Sequence, residues 1–248
     1  MLFQQLIPQA RLVEAHDLVG ALDLATRARE DRPYTVVNFI SSADGRVTFH
    51  GRSAPLGDPG DRELFHALRE QTDAVLAGTR TIEVERYGRL IPDPDRRRRR
   101  IEAGRSAEPL ACVVTRSGEV PTEAPLFAEP EARIVVFGPL GLDLGGLEAQ
   151  VEVVELDPGE LTLTTAMRRL RSGFGVRSLL CEGGPTVFAA LLMERLVDEL
   201  FLTFAPKLTG GGTSPAITSG PELPEIQPLE LIWVLEHENS LYLRYALR

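Results

Sequence analysis

Three groups of residues in this chain have types and spacings that could do chemistry. The first is Glu182-Gly183-Gly184-Pro185-Thr186-Val187, directly after the apolar run Leu179-Leu180-Cys181. A buried strand, a glycine pair and then a helix leave main-chain N–H groups open at the helix N-terminus, where about half a positive charge suits a phosphate. The glycines would matter through the close approach they permit. The same residues also spell an ordinary tight turn, and they are not the G-x-G-x-x-G dinucleotide fingerprint. Glu182 falls at the carboxyl end of its strand, where open α/β sheets place their ligands. The second group, Gly78-Thr79-Arg80-Thr81, follows the run Ala74-Val75-Leu76-Ala77 and repeats the order of strand, small-residue turn and helix. There Thr79 and Thr81 read either as helix caps or as anion contacts. The third is Asn38, a polar residue inside the β-branched run from Tyr34 to Ile40, which needs a partner wherever it is buried.

Much other chemistry lacks its residues. His16, His50, His66 and His237 are scattered, with neither a His-x-x-x-His nor a Cys-x-x-Cys pair, so no metal site is expected. The Gly-x-Ser-x-Gly elbow and the Walker loop are missing. Cys112 and Cys181 both lie in apolar runs and read as small core residues. What is left is a cofactor enzyme or a binding module. Hydride transfer fits the first, because the cofactor carries the reaction and the protein only orients it.

A net charge of −9 argues against nucleic acid as a partner. Five consecutive arginines, Arg96 to Arg100, are the local exception. They read as a solvated helix start, a mobile loop or an anion site. No apolar run approaches the roughly 18 residues of a membrane span, and Met1-Leu2-Phe3-Gln4-Gln5-Leu6 lacks the basic-then-apolar order of a secretory signal. A cytoplasmic location with no membrane partner is the expectation.

The elements that must position these groups follow from periodicity. Residues 1–31 read as a peripheral arm with a short helix near Asp17 to Glu30, and 32–248 as one domain. Strands are predicted at Tyr34–Ile40, Ala74–Ala77, Leu110–Val114, Ile134–Phe137, Val151–Leu156 (an edge), Leu179–Cys181 and Asp198–Phe204. Asp44-Gly45 is a turn, and the segment from Arg46 to Pro59 has the composition of a binding loop or lid. Helices are expected at Asp61–Gln71, at Leu161–Arg171 and after Thr186 as N-cap, while Pro92–Glu108 reads as irregular. Two runs, Leu229–His237 and Ser240–Tyr245, split by Glu238-Asn239, form an antiparallel hairpin. The result is a mostly parallel mixed sheet with an antiparallel edge.

Three motifs in order carry a resemblance. Val37-Asn38-Phe39-Ile40-Ser41-Ser42-Ala43-Asp44-Gly45-Arg46, then Leu68-Arg69 with Thr72–Gly78 and Thr81, then Glu182–Thr186 with Leu196–Leu200 and Ala205-Pro206-Lys207-Leu208, resemble the reductase domain of the bacterial riboflavin-biosynthesis deaminase–reductase. The resemblance covers about Arg32 to Arg248. It implies a three-layer α/β/α dihydrofolate-reductase-like fold, NADPH as cofactor, a homodimer, and reduction of the ribosyl group of 5-amino-6-(5-phosphoribosylamino)uracil. Carried over, Ile40, Pro55, Gly78, Thr81, Glu85, Gly183, Gly184, Pro185, Thr186 and Val187 would meet the cofactor. Ser53, Arg69 and Glu182 would face the substrate, with Glu182 and Asn38 closest to the chemistry.

The deaminase zinc motifs have no counterpart in this chain, which implies a stand-alone reductase. The Leu-Thr-x-Arg that grips the ribose phosphate is also missing. Glu85 can take the place of the family's aspartate, and Arg86 and Arg89 are the available substitutes for the grip. Two other readings therefore stay open: a reductase of the same fold acting on a pterin or dihydrofolate-like heterocycle, and a non-catalytic nucleotide-binding protein. Arg116 is a candidate for a 2′-phosphate, and Leu241-Tyr242-Leu243 for an interface.

Overall fold

A computed structural model describes residues Met1–Arg248. In chain order its elements are β1 (Leu2–Ile7), β2 (Arg11–Glu14), α1 (Ala15–Gly20), β3 (Tyr34–Ser42), α2 (Pro59–Gln71), β4 (Ala74–Gly78), α3 (Thr79–Val84), α4 (Pro94–Glu102), β5 (Leu110–Val114), β6 (Arg133–Pro139), β7 (Gln150–Leu156), α5 (Leu163–Gly173), β8 (Ser178–Cys181), α6 (Pro185–Met193), β9 (Glu199–Ala205), β10 (Leu229–His237) and β11 (Ser240–Leu247). Single 3₁₀ turns occur at Leu24–Arg27 and Pro125–Ala128. The chain is mixed α/β and divides into two compact units, each assembled from separate stretches.

One unit comprises Met1–Asp23, Thr35–Leu68 and Glu182–Arg248. Its strands run in the order β2-β1-β10-β11-β9-β3. Only β3 and β9 are parallel, with Ile40 opposite Thr203; the other pairs are antiparallel. The antiparallel part is thus wider than the expected C-terminal hairpin. That hairpin is present and tight: Glu238 and Asn239 have φ of 49° and 69°, the left-handed pair of a two-residue turn whose twist matches its strands.

The expected arm is a pair of strands, and its helix is only Ala15–Gly20. The alternation of β1 hides it, because Leu2 and Leu6 are exposed while Gln5 is buried. Gln5 is affordable inside because its Nε2 donates to Ile7 O and its Oε1 accepts from Arg11. Phe3, fully buried, sets its ring edge against Tyr242 at 5.2 Å. Tyr242 itself is fully buried and its hydroxyl donates to Asp58, so Tyr242 and Leu243 belong to the core, while Leu241 is exposed.

The other unit comprises Leu24–Tyr34 and Arg69–Cys181. Its strands run β8-β4-β5-β6-β7, all parallel, with β7 at the edge. β4 and β8 are buried on both faces, which is why their sequences are unbroken apolar runs.

Pro92–Glu108 is not irregular. Asp93 accepts from Asp95 N at 2.8 Å, Pro94 occupies the first helical position, and α4 follows. Its arginines are not simply solvated either. Arg100 is buried, and its Nη1 donates to the carbonyls of Arg69, Glu70 and Thr72 at 3.0, 2.8 and 2.8 Å, satisfying the C-terminal end of α2. Burial pushes its guanidinium down to about 10, so it still carries its charge at neutral pH. Arg96 and Arg99 both bind the buried carboxylate of Glu70, at 2.8 and 2.7 Å. Within this unit the arginine run staples one helix to the end of another.

Candidate active site

The glycine pair sits between β8 and α6. Gly183 has φ +99°, a conformation L side chains rarely adopt, and the Gly183–Gly184 peptide is cis. A Cβ on Gly183 would lie 3.0 Å from Phe39 Cζ, so the backbone here packs directly on an aromatic ring. Phe39 in turn stacks on Phe188 of α6 at 5.3 Å between ring centres. The turn is built on glycine because both the torsion and the ring exclude a side chain.

Helix α6 begins two residues earlier than its sequence indicates. Gly184 is the N-cap and Pro185 the first helical residue, so Thr186 lies inside the first turn and does not cap it. Threonine is a common cap, but proline at the first helical position is preorganised for that place and wins. Gly184 brings no capping side chain. Pro185 has no N–H, and the first-turn amides of Thr186 and Val187 precede the first intrahelical bond, from Phe188 N to Gly184 O at 3.0 Å. These are the orphan donors that anions occupy. Glu182, half-buried, stands immediately before this turn.

Around the end of β3 the same unit gathers further predicted residues. Asn38 and Ile40 are half-buried and share a face of β3, opposite the face of Phe39. Beyond the strand, Gly45 (φ +82°) makes the turn, with Gly45 N on Ser42 O and Ser42 N on Arg46 O. Asp44 accepts from Ser42 Oγ (2.6 Å), Thr209 N (3.2 Å) and Gly210 N (2.8 Å), and these bonds hold its carboxyl down at about 2. Arg46 donates to Ser214 O. Ser53 is half-buried and its carbonyl accepts Leu56 N; Pro55 is exposed beside it. Lys207 closes this loop by donating to the carbonyls of Pro55, Leu56 and Gly57.

Asp61, half-buried in the first turn of α2, is pushed up to about 6 by desolvation, against the hydrogen bond from Thr203. Desolvation acts upward on Asp58 as well, but bonds from Ser240, Asp61 N and Tyr242 leave its carboxyl below the usual carboxylate range. Beyond an Asp-Pro pair at a helix start, nothing in the sequence marks Asp58, or the hydrogen-bonded cluster that Asp58, Asp61 and Tyr242 form.

In the other unit, Gly78 is the N-cap of α3, Thr81 is half-buried within its single turn and a half, and Glu85 ends it, donating its N–H to Thr81 O. Arg69 is buried, donates to Leu90 O at 2.8 Å and lies 5.3 Å from the Tyr87 ring centre. Arg89 is bound by Glu108, Glu129 and Glu131 at 3.2, 3.1 and 2.8 Å, which removes it as a substitute phosphate grip. Arg86 remains exposed.

The Thr186 and Val187 amides in the first turn of α6 are donors of the kind a phosphate takes, and the glycine turn beside them is floored by the Phe39 ring. A mixed α/β fold with a glycine turn at a helix N-terminus and a carboxylate at the strand end is an arrangement suited to a phosphate-bearing ligand. The model of the RibD C-terminal domain matches residues 33–239, and the chain belongs to that family. It is 27% identical over 192 residues to the 2,5-diamino-6-ribosylamino-4(3H)-pyrimidinone 5′-phosphate reductase of Archaeoglobus fulgidus, covering 76% of this chain and 87% of that protein. It is also 25% identical over 193 residues to the riboflavin biosynthesis protein RibD of Aquifex aeolicus, covering 77% of this chain but 51% of that protein. Among solved structures, a pyrimidine reductase-like protein from Corynebacterium diphtheriae superposes with a TM-score of 0.77 at 25% identity, over 95% of this chain and 99% of that one. No helix of the chain is long and apolar enough to cross a membrane.

Proposed function

We propose that this chain is an NADPH-dependent reductase that converts the ribosyl group of a 6-ribosylaminopyrimidine 5′-phosphate to the ribityl form. The observation that carries this reading is the Gly183–Gly184 turn, packed on Phe39 at the uncapped start of α6. When bound, the cofactor supplies a hydride from the nicotinamide. The chain supplies everything else. The amides of Thr186 and Val187 bind the pyrophosphate; in the other unit, Gly78, Thr81 and Glu85 are the residues that the family resemblance assigns to the cofactor. Ile40 and Pro55 bound the nicotinamide side. Glu182 and Ser53 hold substrate hydroxyls. The hydride is added at the ribosyl C1′, the bond from C1′ to its ring oxygen or imine nitrogen gives up an electron pair to that heteroatom, and Glu182 assists the proton that the heteroatom takes up. Asn38 is the polar neighbour on β3. Exposed Arg116 is the group available to a 2′-phosphate, and a homodimer in the cytoplasm is the working form; light scattering checks the first half of that statement.

The pyrimidine can carry an amino group or an oxo group at C2, and the A. fulgidus relative is named for the amino form. The decisive experiment follows loss of nicotinamide absorbance with NADPH and each pyrimidine in turn, beside dihydropterin and dihydrofolate controls. Oxidation with either pyrimidine is the expected result. Turnover only with the pterins would move the substrate class. NADPH that neither binds nor is oxidised would end the enzyme reading.

A further inference from the structure

Both loops that surround the end of β3 are tied to the stretch leaving β9. Lys207, two residues past that strand, points its ammonium at three successive carbonyls, Pro55 O at 3.0 Å, Leu56 O at 2.8 Å and Gly57 O at 3.2 Å. Its own carbonyl accepts Ala43 N at 2.9 Å, and Thr209 and Gly210, just beyond it, donate to Asp44. One residue therefore bridges the turn after β3 and the loop before α2. The far end of that loop is anchored separately, through Asp58, which accepts from Ser240, from Tyr242 at 2.8 Å and from Asp61 N at 2.7 Å. Between the anchors, Leu56 is buried and its N–H donates to Ser53 O.

An ammonium has three donors arranged as a tripod, and here they meet three acceptors of one short segment. A planar guanidinium cannot reproduce that arrangement. Lys207 is exposed overall, so the three bonds do not serve to satisfy a buried charge. What they do is add a third tie to Pro55–Gly57 beside the burial of Leu56 and the Asp58 anchor, and a surface segment with fewer ties opens more readily.

We propose that Lys207 is a positioning residue: its ammonium locks the Ser53–Gly57 loop in the conformation the hydride transfer needs, while touching neither substrate nor cofactor. This rests on the reductase reading, in which Ser53 and Pro55 face substrate and nicotinamide. Reaction rates respond steeply to such positioning, and sub-ångström looseness in a supporting shell costs about tenfold or more.

The test compares the full-length chain with Lys207→Met, which keeps the stem and loses the donors, and with Lys207→Arg, which keeps the charge. Lys207→Gln replaces the methionine variant should that one express poorly. A further variant, Lys207→Cys, is alkylated with 2-bromoethylamine to rebuild an ammonium of nearly the same reach; Cys112 and Cys181 are buried and escape the reagent. Hydrogen exchange of the peptide spanning Ser53 to Asp58 should quicken about tenfold in Lys207→Met and Lys207→Arg, with β4 and β5 unchanged. Single-turnover NADPH oxidation should slow about tenfold, KM for NADPH should move less than threefold, and aminoethylation should restore both rate and protection. Unchanged exchange in the loop overturns the clamp. Faster exchange with full turnover overturns its part in the reaction and leaves a purely structural tie. A parent chain that oxidises no NADPH with any substrate removes the reductase reading instead, and the exchange experiment still decides the clamp.

Discussion

Gly183→Ala is the perturbation that bears most directly on the cradle. At φ +99° a residue with a Cβ pays about 1–3 kcal/mol in backbone strain. The new methyl would also meet Phe39 Cζ at 3.0 Å, and Phe39 cannot swing away freely because Phe188 stacks on it at 5.3 Å. Shifting a packed ring adds about 1–2 kcal/mol, for a sum of about 2–5 kcal/mol. Where that cost appears depends on which part yields. If the turn keeps its shape, stability falls, and Tm drops by about 2–4 °C for each kcal/mol in a chain of this size. If the turn relaxes, the loss is in cofactor affinity, tenfold for about each 1.4 kcal/mol. Thermal unfolding and an NADPH fluorescence titration on the same preparation therefore account for the whole effect. Adding Phe39→Leu to Gly183→Ala relieves the contact but not the torsion, and should recover about half of the combined loss. If Gly183→Ala matched the parent in both Tm and NADPH affinity, neither the torsion nor the aromatic floor would shape this turn.

Glu182→Gln should lower kcat by about two orders of magnitude while NADPH affinity changes less than threefold, as expected of a group that acts on substrate; stopped-flow turnover with a parallel titration checks it. Arg100→Met should cost about 3 kcal/mol, since it orphans three buried carbonyls, whereas Arg98→Ala on the exposed side of the same helix should stay within about 0.5 kcal/mol, both read by urea unfolding. Asp61 keeps its proton up to about pH 6 when folded but releases it near 3.8 when unfolded, so its contribution is fully favourable below 3.8 and is lost as pH rises through 6. Asp61→Asn should then raise stability by about 1 kcal/mol at pH 7.5 and by nothing measurable at pH 3.5. An equal gain at both pH values would show that the carboxylate is not what destabilises this site.

What could be read in the chain alone was whatever local pattern or main-chain chemistry encodes. The parallel strands β4, β5, β6 and β8 announce themselves as apolar runs because both their faces are buried. The β10–β11 hairpin is written in Glu238-Asn239, and the cradle in Glu182-Gly183-Gly184, where only glycine tolerates the torsion. Tertiary structure decided the rest. β1 is illegible because a glutamine is buried beside Phe3 while Leu2 and Leu6 are exposed, and the bonds to Ile7 and Arg11 that satisfy Gln5 leave no periodic trace. The arginine run looked solvated because its acceptors, Glu70 and the carbonyls ending α2, lie more than 20 residues away in the chain. Arg89 looked available for a phosphate until three carboxylates from two distant segments closed on it. A short-range pattern records torsions and burial, whereas the fate of a long, charged side chain depends on which groups the fold brings within its reach.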